Sequence, residues 1–217
     1  MPVITISRQY GSGGDAIARR VCEALGYSYF DKSLIARVAS EASISEDEIV
    51  DFTEDSYKMR GFVDRLFGRR RSAADAWISS APQRALPVEM LDEARNVNLV
   101  KDVILEAHKH DNVIIVGRGG QAILQEQPGV LHVRVVAPLG ARVLRVQEQE
   151  KCSLDEASAR VKRKDEAAAA YLERFFDIDW DNPLLYHLII NTGKWDLEDA
   201  KHLILNALTH LKMVVEK

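Results

Sequence analysis

Cysteine is scarce in this chain: Cys22 and Cys152 are the only two among 217 residues, far apart and without CxxC spacing. That argues against a disulfide framework or a structural zinc site and fits a reducing compartment. Long apolar runs are missing as well, and no stretch approaches the length of a membrane span. Positive charge is not in excess, with 29 Lys and Arg against 33 Asp and Glu. The balance speaks against general nucleic-acid binding. The opening MPVITISRQYGSGG lacks the basic start and longer apolar stretch of a signal peptide, so a cytoplasmic protein is expected. Histidines are scattered, and His108 and His110, two apart on a helix, make poor geometry for a shared metal. No Ser/His/Asp or Cys/His arrangement supports covalent catalysis. Internal repeats and low-complexity tracts are absent, and no pattern speaks to oligomeric state.

What is present is an alternation of short apolar runs and helical stretches. Val3–Ser7, Tyr27–Phe30, Asn112–Val116, Leu131–Val136 and Leu188–Asn191 read as apolar strands. Helices are expected over Asp15–Leu25, with Gly26 as its C′ residue, and over 32–42, Val88–His110, 139–150, 153–175 and 196–212. SISEDE, in 43–51, resembles a capping box opening another helix. The alternation predicts an α/β domain with a parallel sheet of about five strands covered on both faces. Between Tyr57 and Pro87 periodicity weakens, and Lys58, Arg60, Arg65, Arg69, Arg70 and Arg71 make this the basic part of the chain. It reads either as a solvated segment or as one that closes over a polyanion.

Ligands of such sheets sit at the carboxyl ends of strands. The first of these loops is Ser7-Arg8-Gln9-Tyr10-Gly11-Ser12-Gly13-Gly14-Asp15. Glycines let backbone N–H groups turn toward a phosphate, and the helix that follows adds its dipole, so anion binding is expected. Two folds compete for it. Gly11-Ser12-Gly13-Gly14-Asp15-Ala16 satisfies GxGxx[GA], and Asp31 ends the next strand as a dinucleotide ribose would require. Yet Arg8-Gln9-Tyr10 lengthen the loop beyond the dinucleotide type. In the rival pattern GxxxxGK[ST], Arg8 takes the first glycine position, Gly14 the lysine position and Asp15 the hydroxyl position. Arg8 is then the candidate for the missing cationic charge, and Asp15 for holding Mg²⁺.

Three segments together resemble the cytidylate kinase-like family, a branch of the P-loop nucleoside monophosphate kinases. They are ISRQYGSGGDAIARRVCEALGYSYFDKSLI, VIIVGRGGQAIL and DIDWDNPLLYHLIINTG, and they span nearly the whole chain. The resemblance implies a three-layer P-loop fold whose core is 1–34, 88–147 and 185–217. It also implies a helical acceptor-binding insertion near 35–87 and a short lid near 148–184. Gly11, Ser12, Gly13, Gly14, Asp15 and Ala16 would cradle the phosphates of ATP. Asp31, Arg37 and Arg118 match the family's acceptor-side residues, while Arg142 and Arg145 resemble the arginine-bearing start of the lid. Two guanidinium forks from different strand ends can grip one phosphate bidentately, as lysine cannot. Arg142, Arg145 and Arg163, together with Arg8, would neutralise charge during transfer to CMP or dCMP, with ATP and Mg²⁺ as cofactors.

The chain departs from the family at Ala168, where an arginine commonly stands three residues after the equivalent of Asp165. Two other readings therefore accompany the kinase: a catalytically inactive nucleotide-binding regulator descended from one, and an NAD(P)-binding oxidoreductase. Trp180 reads as a packing anchor or a residue near a base.

Overall fold

The computed structural model describes residues 2–30, 88–109 and 111–211. Five parallel strands form its centre: β1 (Val3–Arg8), β2 (Ser28–Phe30), β3 (Val113–Val116), β4 (Val130–Val136) and β5 (Leu188–Asn191). Their order across the sheet is β2-β3-β1-β4-β5. Helices α1 (Gly14–Leu25), α2 (Val88–Lys109), α3 (Gly120–Ile123), α4 (Leu139–Glu150), α5 (Leu154–Phe176) and α6 (Leu197–Thr209) connect or follow them. The three-layer α/β architecture expected from the sequence is the one observed. Its strand order disposes of the dinucleotide reading: in that fold the second strand lies beside the first, whereas here β3 separates β2 from β1.

Each strand divides its side chains between two layers, as the two-residue period requires. Ile4, Ile6, Ile114, Val116, Leu131, Val133 and Val135 join Ile17, Val21, Ala200 and Ile204 of α1 and α6 in one aliphatic cluster. The opposite face meets α2 through Val100, Val103 and Ile104, which pack with Val3, Val113 and Ile115. The expectation of apolar strands fails on this second face. Thr5, Ser7, His132 and Arg134 are all buried there, at 3% exposure or less, and their polar atoms need partners within the protein. The segment after α5 supplies most of them. Trp180 Nε1 donates to Ser7 Oγ at 2.7 Å. Arg134 donates to the Trp180 carbonyl, the Tyr186 hydroxyl and the Asp181 carboxylate, with its guanidinium 4.3 Å from the Trp180 ring centre. Trp180 is thus a packing anchor, 4% exposed.

α5 is one continuous helix, as expected over 153–175. Ser153 and Glu156 close a capping box at its start. Its second half enters the core, where Ala168, Tyr171 and Leu172 pack with Val97 and Trp180. Position 168 is 3% exposed, which explains the alanine: an arginine there would bury an unpaired charge.

Candidate phosphate-binding site

The chain leaves β1 toward β2 on one side of the sheet and leaves the neighbouring β4 toward β5 on the other. The crevice between such diverging connections is where ligands bind in open α/β sheets, and the β1–α1 loop lines it. Gly11 and Gly13 have φ of 77° and 85°, the left-handed region in which a side chain is strained. Space forbids one as well, since a Cβ on Gly11 would come 2.8 Å from the Arg142 carbonyl oxygen. Within the loop, the Ser12 N–H turns back to the Gln9 carbonyl and the Gln9 N–H to Val135. Among the described residues no backbone hydrogen bond uses the N–H of Gly11 or Gly13, and the first-turn amides of α1 lie outside its own ladder. Side chains cap α5 and α6, but α1 begins at Gly13 with no side-chain cap. The Ser12 hydroxyl, in a residue 0% exposed, also lacks a partner among the described residues. A row of unspent donors at a helix N-terminus fits the phosphates of a nucleotide.

Arg8 stands beside the position where other loops of this type carry a lysine. A Cβ on Gly14 would meet Arg8 Cβ at 2.5 Å and Cγ at 2.9 Å, so the Arg8 side chain lies across the space that a lysine at 14 would enter. Its Nε donates to Asp15 Oδ1 at 3.2 Å, and that carboxylate is 58% exposed. Among the described residues no three His, Cys, Asp or Glu side chains converge as a metal cage. A Mg²⁺ ion that arrives with phosphate oxygens needs only one or two carboxylates, and Asp15 meets that requirement.

Arg142 and Arg145 stand on the helix after Val136-Ala137-Pro138, as expected. Both approach the loop from α4, and their bonds run to protein groups. Arg142, 6% exposed, donates from Nε to the Ala137 carbonyl at 3.0 Å and from Nη1 to the Tyr10 carbonyl at 3.1 Å. It also pairs with Asp165. Arg145 donates to the Ser12 carbonyl at 3.2 Å and to Thr192 Oγ1 at 3.0 Å. The Tyr10 carbonyl thus accepts from Arg142, and the Ser12 carbonyl is shared between Arg145 and the Thr192 hydroxyl. Arg163 is exposed and lines a cavity of about 380 Å³ with Tyr10, Arg160 and Lys164. Tyr10 itself is tied to the lid-side helices: its N–H donates to Asp165 Oδ1 at 2.9 Å and its hydroxyl to Glu150.

The second glycine loop follows β3, which pairs with β1, so both loops open at the same sheet edge. Gly117, Arg118 and Gly119 have φ of 69°, 60° and 71°. Holding a non-glycine residue in this region costs about 1 kcal/mol, which marks Arg118 as a residue whose backbone is specified. Arg118 is 8% exposed. Gly119 is covered by Phe176, whose ring would lie 2.7 Å from a Cβ there. Asp31, Arg37 and the basic residues from Lys58 to Arg71 lie outside the described residues. Sequence reasoning missed Arg134, Asp165, Thr192 and Gln121. Gln121 is 1% exposed, and its Nε2 has no partner among the described residues. A charged residue inside an apolar strand was the one available signal, at Arg134.

Comparison with known proteins agrees with this geometry. The model of the cytidylate kinase-like family matches residues 3–194. A protein named cytidylate kinase from Pyrococcus horikoshii is 25% identical over 213 residues, covering 98% of this chain and 91% of its own length. The crystal structure of an uncharacterized protein from Eubacterium ventriosum superposes with a TM-score of 0.65 at 19% identity, covering 96% of this chain and 99% of its own. A shikimate kinase from Bacteroides thetaiotaomicron shares the fold at a TM-score of 0.50 and 12% identity, with 96% and 98% of the two chains covered.

Proposed function

The chain belongs to the cytidylate kinase-like family, and on that premise we propose that it transfers the γ-phosphoryl group of ATP to a nucleoside monophosphate, CMP or dCMP. An oxygen of the acceptor phosphate attacks the γ-phosphorus, the bond to the β–γ bridging oxygen breaks, and ADP leaves with that electron pair. Such a transfer needs positioning and charge neutralisation rather than a covalent nucleophile. The observation that carries the reading is the β1–α1 loop: unspent amides and a buried, unpartnered Ser12 hydroxyl, with Arg8 lying across Gly14.

In this reading Gly11, Ser12, Gly13, Gly14 and Ala16 hold the donor phosphates, and Arg8 serves in place of the loop lysine. Asp15 holds Mg²⁺, which neutralises the charge on the β- and γ-phosphates when bound. Arg118 grips the acceptor phosphate with Arg37 and Asp31, the latter two at the edge of an acceptor-binding insertion near 35–87. Arg163, on the lid side near 148–184, adds charge from above. The regulator reading draws on one observation, the buried alanine at 168 where the family commonly carries an arginine. Incubation with ATP, Mg²⁺ and a panel of nucleoside monophosphates separates the two by ADP formation. Turnover on CMP or dCMP, lost in Arg118→Ala, is the expected result. ATP binding without turnover on any monophosphate would sink the kinase and leave the regulator.

A further inference from the structure

We propose that Arg142 and Arg145 are positioning residues that aim the amides of the phosphate loop, rather than groups that neutralise the transferring phosphoryl. The inference rests on the loop being a phosphate site. A trans peptide is planar, so fixing a carbonyl on one side sends the next residue's N–H to the other. Arg142 holds the Tyr10 carbonyl from the α4 side, which turns the Gly11 N–H away from α4. Arg145 and the Thr192 hydroxyl, the latter at 2.6 Å, both hold the Ser12 carbonyl, which turns away the Gly13 N–H. Among the described residues the Gly11 and Gly13 N–H groups have no backbone acceptor, whereas the intervening Ser12 N–H closes onto Gln9 and the Tyr10 N–H onto the Asp165 carboxylate. Arg145 also reaches the Gly11 carbonyl, at a longer 3.5 Å, so the two shorter arginine bonds, on the Tyr10 and Ser12 carbonyls, are those that precede the unspent amides. Each donor bond to a carbonyl also polarises its peptide and makes the N–H on the far side a stronger donor.

Asp165 and Thr192 complete the two clamps. Asp165 accepts from both Arg142 and the Tyr10 N–H, which ties the front of the loop to α5. Thr192, 3% exposed, follows β5, and its backbone carbonyl accepts from Arg145 at 2.6 Å. Loop geometry is thereby set jointly by α4, α5 and the segment after β5.

Inorganic tripolyphosphate tests the proposal without requiring turnover. Its affinity would be measured by calorimetry, and the amide resonances of Gly11 and Gly13 followed by NMR, for the wild type, Arg142→Lys, Arg145→Lys and Thr192→Val. Lysine keeps the charge but cannot reproduce the forked bonds. Each lysine variant is expected to weaken tripolyphosphate binding about tenfold, the size of one lost charge-assisted hydrogen bond, with its melting temperature nearly kept. Thr192→Val, which changes no charge, should weaken binding about threefold and shrink the Gly13 amide response. Unchanged affinity and unchanged amide responses in all three would overturn the proposal, as would a wild type that binds tripolyphosphate without moving the Gly11 and Gly13 resonances. Tripolyphosphate binding with these responses but no ADP formation would instead count against the kinase and leave the positioning role standing. Should a lysine variant fail to fold, Thr192→Val decides alone.

Discussion

The two faces of the sheet are built on different principles. Toward α1 and α6 the strands present isoleucine, valine and leucine, and the layer is closed by shape alone. On the other face Thr5, Ser7, His132 and Arg134 stand buried in the same strands: Thr5 Oγ1 pairs with His132 Nδ1, Ser7 with the Trp180 indole, and Arg134 with the Trp180 carbonyl, Tyr186 and Asp181. An aliphatic layer tolerates small changes of volume and specifies little beyond burial. A buried polar layer loses heavily if one member goes, because its partners are left without hydrogen bonds. The polar face also reaches the site, since Ser7 directly precedes Arg8 and Phe176 covers Gly119.

Substitutions should expose this contrast. The largest effect is expected from Ala168→Arg, which restores a family residue at a core position. Burying that charge should cost roughly 4 kcal/mol and lower the melting temperature by about 10 °C in a chain of this size. Calorimetry would measure it. Arg134→Ala comes next at about 3 kcal/mol in urea unfolding, because the Trp180 carbonyl and Tyr186 hydroxyl lose their shared donor. His132 adds a pH dependence. Burial, and then the stacked His187, push its pKa down to about 4 from an ordinary 6.5. The unfolded chain then binds the extra proton first, so stability is full above pH 6.5 and is lost as pH falls through 6.5 toward 4. The loss should approach roughly 3 kcal/mol at the acid end, and His132→Gln should flatten that part of the profile. Ile6→Val on the aliphatic face is the contrast, at about 1 kcal/mol with no pH dependence.

Much of this fold could be read from the residues because local and global signals agree. β-branched runs gave the strands, and Gly26 ends α1 with φ 66° as a C′ glycine should. Glycine after β1 marked the candidate site, since a loop that brings backbone close to a ligand or a neighbouring helix needs so many. The roles of the arginines were less legible. Residues 142 and 145 share a helix face by spacing, but spacing cannot say whether that face meets phosphate or the carbonyls of a neighbouring loop. Ala168 read as a lost catalytic residue because its burial depends on how α5 lies against α2. Arg134 passed unnoticed since a period-of-two count treats a charge in a strand as noise, whereas its partners lie 46 to 52 residues away.

The central claim is that Arg8 supplies the charge that a loop lysine supplies elsewhere. Its most direct test is kcat/KM for ATP in Arg8→Gly beside the double variant Arg8→Gly/Gly14→Lys. The account predicts a fall of about a hundredfold in the single variant and partial recovery in the double, where removal of the Arg8 Cβ and Cγ opens the space beside residue 14. A single variant that keeps the wild-type kcat/KM for ATP would contradict it.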